Sequence, residues 1–90
     1  MNIYTKDNVH VFDLENDLLE DESITFQNKI KSCLKTGQTR FCFKMDRVNN
    51  IDPAALCALM TLARNLGENI DIQGIEDKKE MALIMKFWDY

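Results

Sequence analysis

Proline occurs once, histidine once and glycine three times in the 90 residues. So few chain breakers leave no room for a collagen-like or polyproline segment, or for a flexible Gly-rich linker. The three cysteines, an odd number, cannot all pair within the chain, which fits a reducing compartment. Cys33, Cys42 and Cys57 also lack close metal-ligand spacing and have only His10 for company, so no metal site is expected. No apolar run approaches the ~18 residues of a membrane span, and the first residues carry no basic-then-apolar leader. The expectation is a cytoplasmic chain without membrane insertion. Neither common glycine-rich phosphate loop is present, which disfavours a nucleotide enzyme. The net charge is −4, and the pair Lys78-Lys79 is flanked by Asp77 and Glu80. Without a concentrated basic surface, nucleic acid is not the expected partner.

What the chain does have is the composition of an ordinary globular domain, 46% hydrophobic and 29% charged, long enough for one core spanning 1–90. Its most informative stretch is 41–67. Phe41, Phe43 and Met45 alternate with Cys42, Lys44 and Asp46, the two-residue period of a strand with one apolar face. Val48 and Ile51 bracket a turn tipped by Asn49-Asn50. Asp52 stands at an N-cap position and Pro53 at the first helical position, where its missing N–H costs nothing. Leu56, Leu59, Met60, Ala63 and Leu66 then fall on one helix face, and Gly67 supplies a left-handed stop.

Upstream, residues 2–14 read as a short strand or hairpin start, a polar break at Lys6-Asp7-Asn8, and a strand over 9–14. Val9 and Val11 mark an imperfect alternation there. Glu20-Asp21-Glu22 opens a helix with Lys29, Lys31 and Lys35 toward its end, an order that complements the helix dipole. Phe26, Ile30, Cys33 and Leu34 form its apolar face, Leu18 and Leu19 pack at its start, and Gly37 ends it. Downstream, Ile70 and Ile72 point inward from a short strand over 69–75. Asp77 and Glu80 then suggest a capping box for a last helix carrying Met81, Ile84, Met85 and Trp88. This order predicts an α/β fold with a mixed, largely parallel sheet of four or five strands and about three helices.

The line FCFKMDRVNNIDPAALCALMTLARNLGENIDIQGI resembles the signature region of STAS domains, the fold of bacterial anti-sigma-factor antagonists and sulfate-transporter tails. The upstream line VHVFDLENDLLEDESITFQNKI is similar to the family's opening strand, acidic loop and first helix, so the resemblance covers nearly the whole chain. In the family, the helix opens on Asp-Ser-Ser-Gly, whose second serine is phosphorylated. Here the match is Asp52-Pro53-Ala54-Ala55, and Ala54 has no oxygen to accept a phosphoryl group. Lys44 stands where the family usually has Asp or Asn.

The resemblance implies a non-catalytic, regulatory protein–protein interaction domain without cofactor. Its partner would be a kinase-like anti-sigma factor or, alternatively, a subunit of a lipid or anion transport system. The implied contact comprises the loop 46–52 and the first turn of the following helix. Asn49, Asn50, Asp52, Pro53, Ala54 and Ala55 lie on it, with Asp17 and Lys44 as further candidates. Ser23, Ser32 and Thr61 are alternative modification sites. A small enzyme or ligand carrier is the reading from another class, permitted by the cysteines, His10 and scattered carboxylates but not suggested by them. Each feature also has a plainer explanation. Asp52-Pro53 serves as helix cap and starter, Lys44 as a solvated strand residue, the cysteines as small buried hydrophobes, and His10 as a structural or solvent-facing residue.

Overall fold

The computed structural model describes residues 1–37, 40–75 and 78. The chain opens with β1 (Asn2–Lys6) and β2 (Val9–Asp13), an antiparallel hairpin that pairs Lys6 with Val9. Asp7 and Asn8 form its two-residue turn, both at positive φ (53° and 66°). That geometry matches the right-handed twist of the strands, and short polar side chains tolerate it. The helix α1 (Glu20–Lys35) leads to β3 (Phe41–Lys44), and α2 (Pro53–Leu66) leads through a 3-10 turn to β4 (Ile70–Gln73). The sheet order is β1-β2-β3-β4, parallel from β2 onward. The expected α/β fold with a mixed, largely parallel sheet is therefore present, with four strands and two α-helices among the described residues. The expected capping box and last helix lie outside them.

Strand register decides which side chains meet the helices. Ile3, Phe12, Phe43 and Ile72 align across the four strands, beside a row of Thr5, His10, Phe41 and Ile70. Phe26 of α1 meets this face, its ring centroid 6.0 Å from Phe12 and 5.8 Å from Phe43. Leu59, Met60 and Leu62 of α2 complete the core with Ile30. Each fully buried Phe contributes about 1.5–3 kcal/mol relative to an exposed one. The inward residues of β2 are thus His10 and Phe12; the alternation read from Val9 and Val11 has the opposite phase. Val11 misleads because it too is buried, beneath the other sheet face, as is its neighbour Cys42.

Other differences are local. Leu34 of the expected α1 face is 43% exposed, and Leu19, expected to pack at the helix entrance, is 42% exposed. Of the cysteines expected to be buried, Cys42 is buried, Cys33 is half-buried and Cys57 is exposed, on the side of α2 turned away from the sheet.

Candidate functional site

The carboxyl ends of the parallel strands converge on three loops, and backbone hydrogen bonds continue the sheet into two of them. Leu14 N–H donates to Lys44 C=O (3.2 Å), and Leu18 N–H donates to Asn50 C=O (3.0 Å). Asp52 N–H donates back to Leu18 C=O (2.9 Å), so Leu18 and Ile51 form a parallel bridge beyond the named strands. Leu14, Leu18 and Val48 fill the space beneath, each almost wholly buried. Open-sheet α/β folds place their ligand sites at this end of the strands.

Two carboxylates tie the loops together. Asp17 Oδ1 accepts from the backbone N–H groups of Asn49 (2.8 Å) and Asn50 (3.1 Å), while its Oδ2 accepts from Asn50 Nδ2 (3.0 Å). The Asn50 side chain, helped by the two backbone amides and by the nearby Lys78 ammonium, holds the Asp17 carboxyl below the ordinary carboxylate range. Asp52 Oδ1 accepts from Ala55 N–H (2.9 Å), the cap expected of it, and from Ser23 Oγ–H (2.7 Å). Ser23 accepts in turn from Gln27 Nε2 (3.0 Å). The Ala55 amide and then the Ser23 hydroxyl push the Asp52 pKa down, with smaller help from the amides of Ala54 and Glu20.

The third loop closes the other side. Met45 N–H donates to Gln73 C=O (2.9 Å), and Lys78 Nζ donates to the Asp46 carbonyl (2.9 Å). Gly74 lies against Asp46 at φ +82°; a Cβ there would stand 2.6 Å from the Asp46 nitrogen and 2.8 Å from its Cα. Only glycine fits this approach. Gly74 and Lys78 belong to the site although the sequence reading did not single them out for it. The signal available was an isolated Gly immediately after a strand.

The structure therefore gathers Asp17, Asn49, Asn50, Asp52, Pro53 and Ala54 at one end of the molecule. Asn49, Asn50, Pro53 and Ala54 are exposed there, and Asp17 and Asp52 are half-exposed. Two candidates stand apart. Ala55 is fully buried, so it gives the site its backbone amide and no contact surface. Lys44 alternates with Phe43 and so projects from the opposite sheet face, where its Nζ donates to Tyr4 Oη (3.3 Å), the interaction that chiefly raises the lysine's pKa. Ser23, a candidate for modification, is buried with its hydroxyl committed to Asp52, whereas Ser32 and Thr61 are exposed.

His10 and Cys33, far apart in sequence, line one cavity of about 350 Å³ with Lys29 and Ser32. Burial pushes the Cys33 thiol pKa up despite Lys29, the direction opposite to nucleophile activation. Among the described residues, no three or more His, Cys, Asp or Glu side chains are grouped to hold a metal ion. No described helix is long and apolar enough to cross a membrane. No protein-family model matches the chain, and no curated protein matches it.

Proposed function

We propose that this chain is a STAS-like regulatory domain that binds another protein through the loop 46–52 and the start of α2, without catalysis. The observation that carries this reading is the Asp17 carboxylate with its three hydrogen bonds to Asn49 and Asn50. It holds an exposed loop in one conformation beside the exposed Pro53 and Ala54. A surface ordered before binding avoids much of the entropic cost of forming an interface. The methyl of Ala54 permits close approach and cannot be phosphorylated, so binding here is constitutive or controlled from another residue.

The test compares proteins co-purifying with the tagged native chain and with Ala54→Glu, which places a bulky anion at the exposed helix start. A partner bound by the native chain and lost from a variant with unchanged circular dichroism is the expected result. Equal recovery on both would overturn this placement of the contact. The protein recovered also distinguishes a kinase-like regulator from a transport subunit.

A further inference from the structure

A second surface begins where this platform ends. Between α1 and α2 lies a groove of about 310 Å³, with Ile30 and Leu34 on one side and Ala54, Ala58, Thr61 and Asn65 along the other. Ala54 belongs to both surfaces. The groove is floored by buried Ile30 and Leu62, and none of its lining residues is charged. Among the described residues, charge gathers toward its ends, acidic at the start of α1, where Glu22 pairs with the N-terminal ammonium (4.0 Å), and basic from the exposed Lys31 onward. The Ser23–Asp52 hydrogen bond sets the first turn of α1, with Glu20, Asp21 and Glu22, beside the start of α2. Leu34 and Asn65 line the far end, where Lys35 and Arg64 occupy the last turns. The α1 residues Ile24 and Leu34 are also 57% and 43% exposed. Exposed aliphatic side chains beside an uncharged groove mark a contact surface.

Charge complementarity selects the occupant and its direction. A segment lying along the groove needs an apolar face, basic groups at the Ala54 end and acidic groups at the Asn65 end. A helix favours acidic residues in its first turn and basic residues in its last, because these complement its own dipole. Both demands are met together only when the helix runs antiparallel to α1 and α2, which also opposes its dipole to theirs. We propose that the groove receives an amphipathic helix of the protein partner in this antiparallel orientation, an inference that rests on the interaction reading above and extends it. The binding mode is helix-in-groove, with apolar anchors at helical spacing.

Two synthetic peptides of about 16 residues, roughly 24 Å of helix, test it. They share one Leu/Ala face and are stapled to equal helicity. One carries Glu in its first turn and Lys in its last; the other has these charges reversed. Titrated into the full chain, the first is expected to bind about tenfold more tightly, a difference of about 1.4 kcal/mol. It should shift the amide resonances of Ile30, Ala58 and Leu62. Leu34→Glu and Thr61→Arg, at exposed positions, should each weaken it about tenfold while keeping the native thermal midpoint. Equal affinity of the two peptides, no binding, shifts elsewhere, or full affinity of both variants overturns the proposal.

The co-purifying partner separates the two readings. Ala54 lines both surfaces, so Asn49→Arg, on the exposed loop and outside the groove, reports the platform and Thr61→Arg the groove. Loss from both supports both. Loss from Asn49→Arg alone leaves the platform standing and removes the groove; loss from Thr61→Arg alone does the reverse.

Discussion

The helices α1 and α2 begin side by side at one end of the sheet but start for different physical reasons. The start of α2 is local: Asp52 caps it through the Ala55 amide and Pro53 takes the first helical position. At the corresponding place in α1 stands Leu19, with no side-chain cap, followed by Glu20 at φ 49°. That helix begins where it does because Leu18 is clamped between Asn50 and Asp52, and because Ser23 donates to Asp52. One carboxylate thus serves two helix starts, α2 through the Ala55 amide and α1 mainly through the buried Ser23 hydroxyl. The same connection sets the orientation of α1 relative to the loop that forms the candidate contact.

Leu18→Ala should have the largest effect. Deleting a fully buried leucine costs about 2–5 kcal/mol, read from urea unfolding. Local hydrogen exchange should show first-turn amides of α1 opening well before those of α2. Equal acceleration in both helices would mean that their starts are not separately controlled. Asp52→Ala comes next, because it removes the α2 cap and leaves the Ser23 hydroxyl without its acceptor; its thermal midpoint should fall below that of Ser23→Ala.

Asp52→Asn retains an oxygen acceptor and isolates the charge. Asp17 and Asp52 titrate lower in the folded chain than in the unfolded one. Their contribution to stability is complete above the ordinary carboxylate range and is lost as pH falls through the depressed folded values. Acid titration of Asp52→Asn should therefore show a shallower loss than the native chain. An unchanged acid limb would remove Asp52 as a source of that dependence. Ser23→Ala should cost about 1 kcal/mol in urea, since it removes the hydroxyl link from Asp52 to α1 and the acceptor of the Gln27 side chain within α1. It should spare the α2 cap, so an equal loss of protection in the first turn of α2 would contradict the division of roles.

The same contrast explains how much could be read from the sequence. The α2 segment was legible almost to the residue, because Asp, Pro and Gly act on backbone within a few positions of themselves. The β1–β2 hairpin was half legible: Lys6-Asp7-Asn8 announced a break, but the phase of β2 was lost because Val11 and Phe12 are both buried. For the candidate site, the resemblance and the turn signals led to Asn49, Asn50 and Asp52. The reach of Asp17 to Asn49, of Ser23 to Asp52 and of Gly74 to Asp46 spans roughly thirty residues in each case. No local pattern encodes contacts at such separations. Lys44 entered as a candidate through the resemblance, and it projects from the face opposite Phe43; alternation along a strand assigns faces without saying which face carries the site.

The smallest expected effect gives the sharpest view of α1. Glu20 occupies the left-handed region because the chain leaves the Leu18–Ile51 bridge and must turn sharply into the helix. A non-glycine residue there gives up about 1–2 kcal/mol. Glu20→Gly relieves this strain and offsets it with the entropy glycine loses on folding, about 0.5–1 kcal/mol, and with one fewer anion at the helix start. The net change should lie near zero. Asp21→Gly, one position on and not among the positive-φ residues, gains no such relief and should cost about 0.5–1 kcal/mol, from lower helix propensity together with one fewer anion at the helix start. Paired urea titrations of the two variants measure the difference directly. A clear gap places the origin of α1 in a turn imposed from outside the helix; equal losses would mean that Glu20 starts α1 as an ordinary first-turn residue.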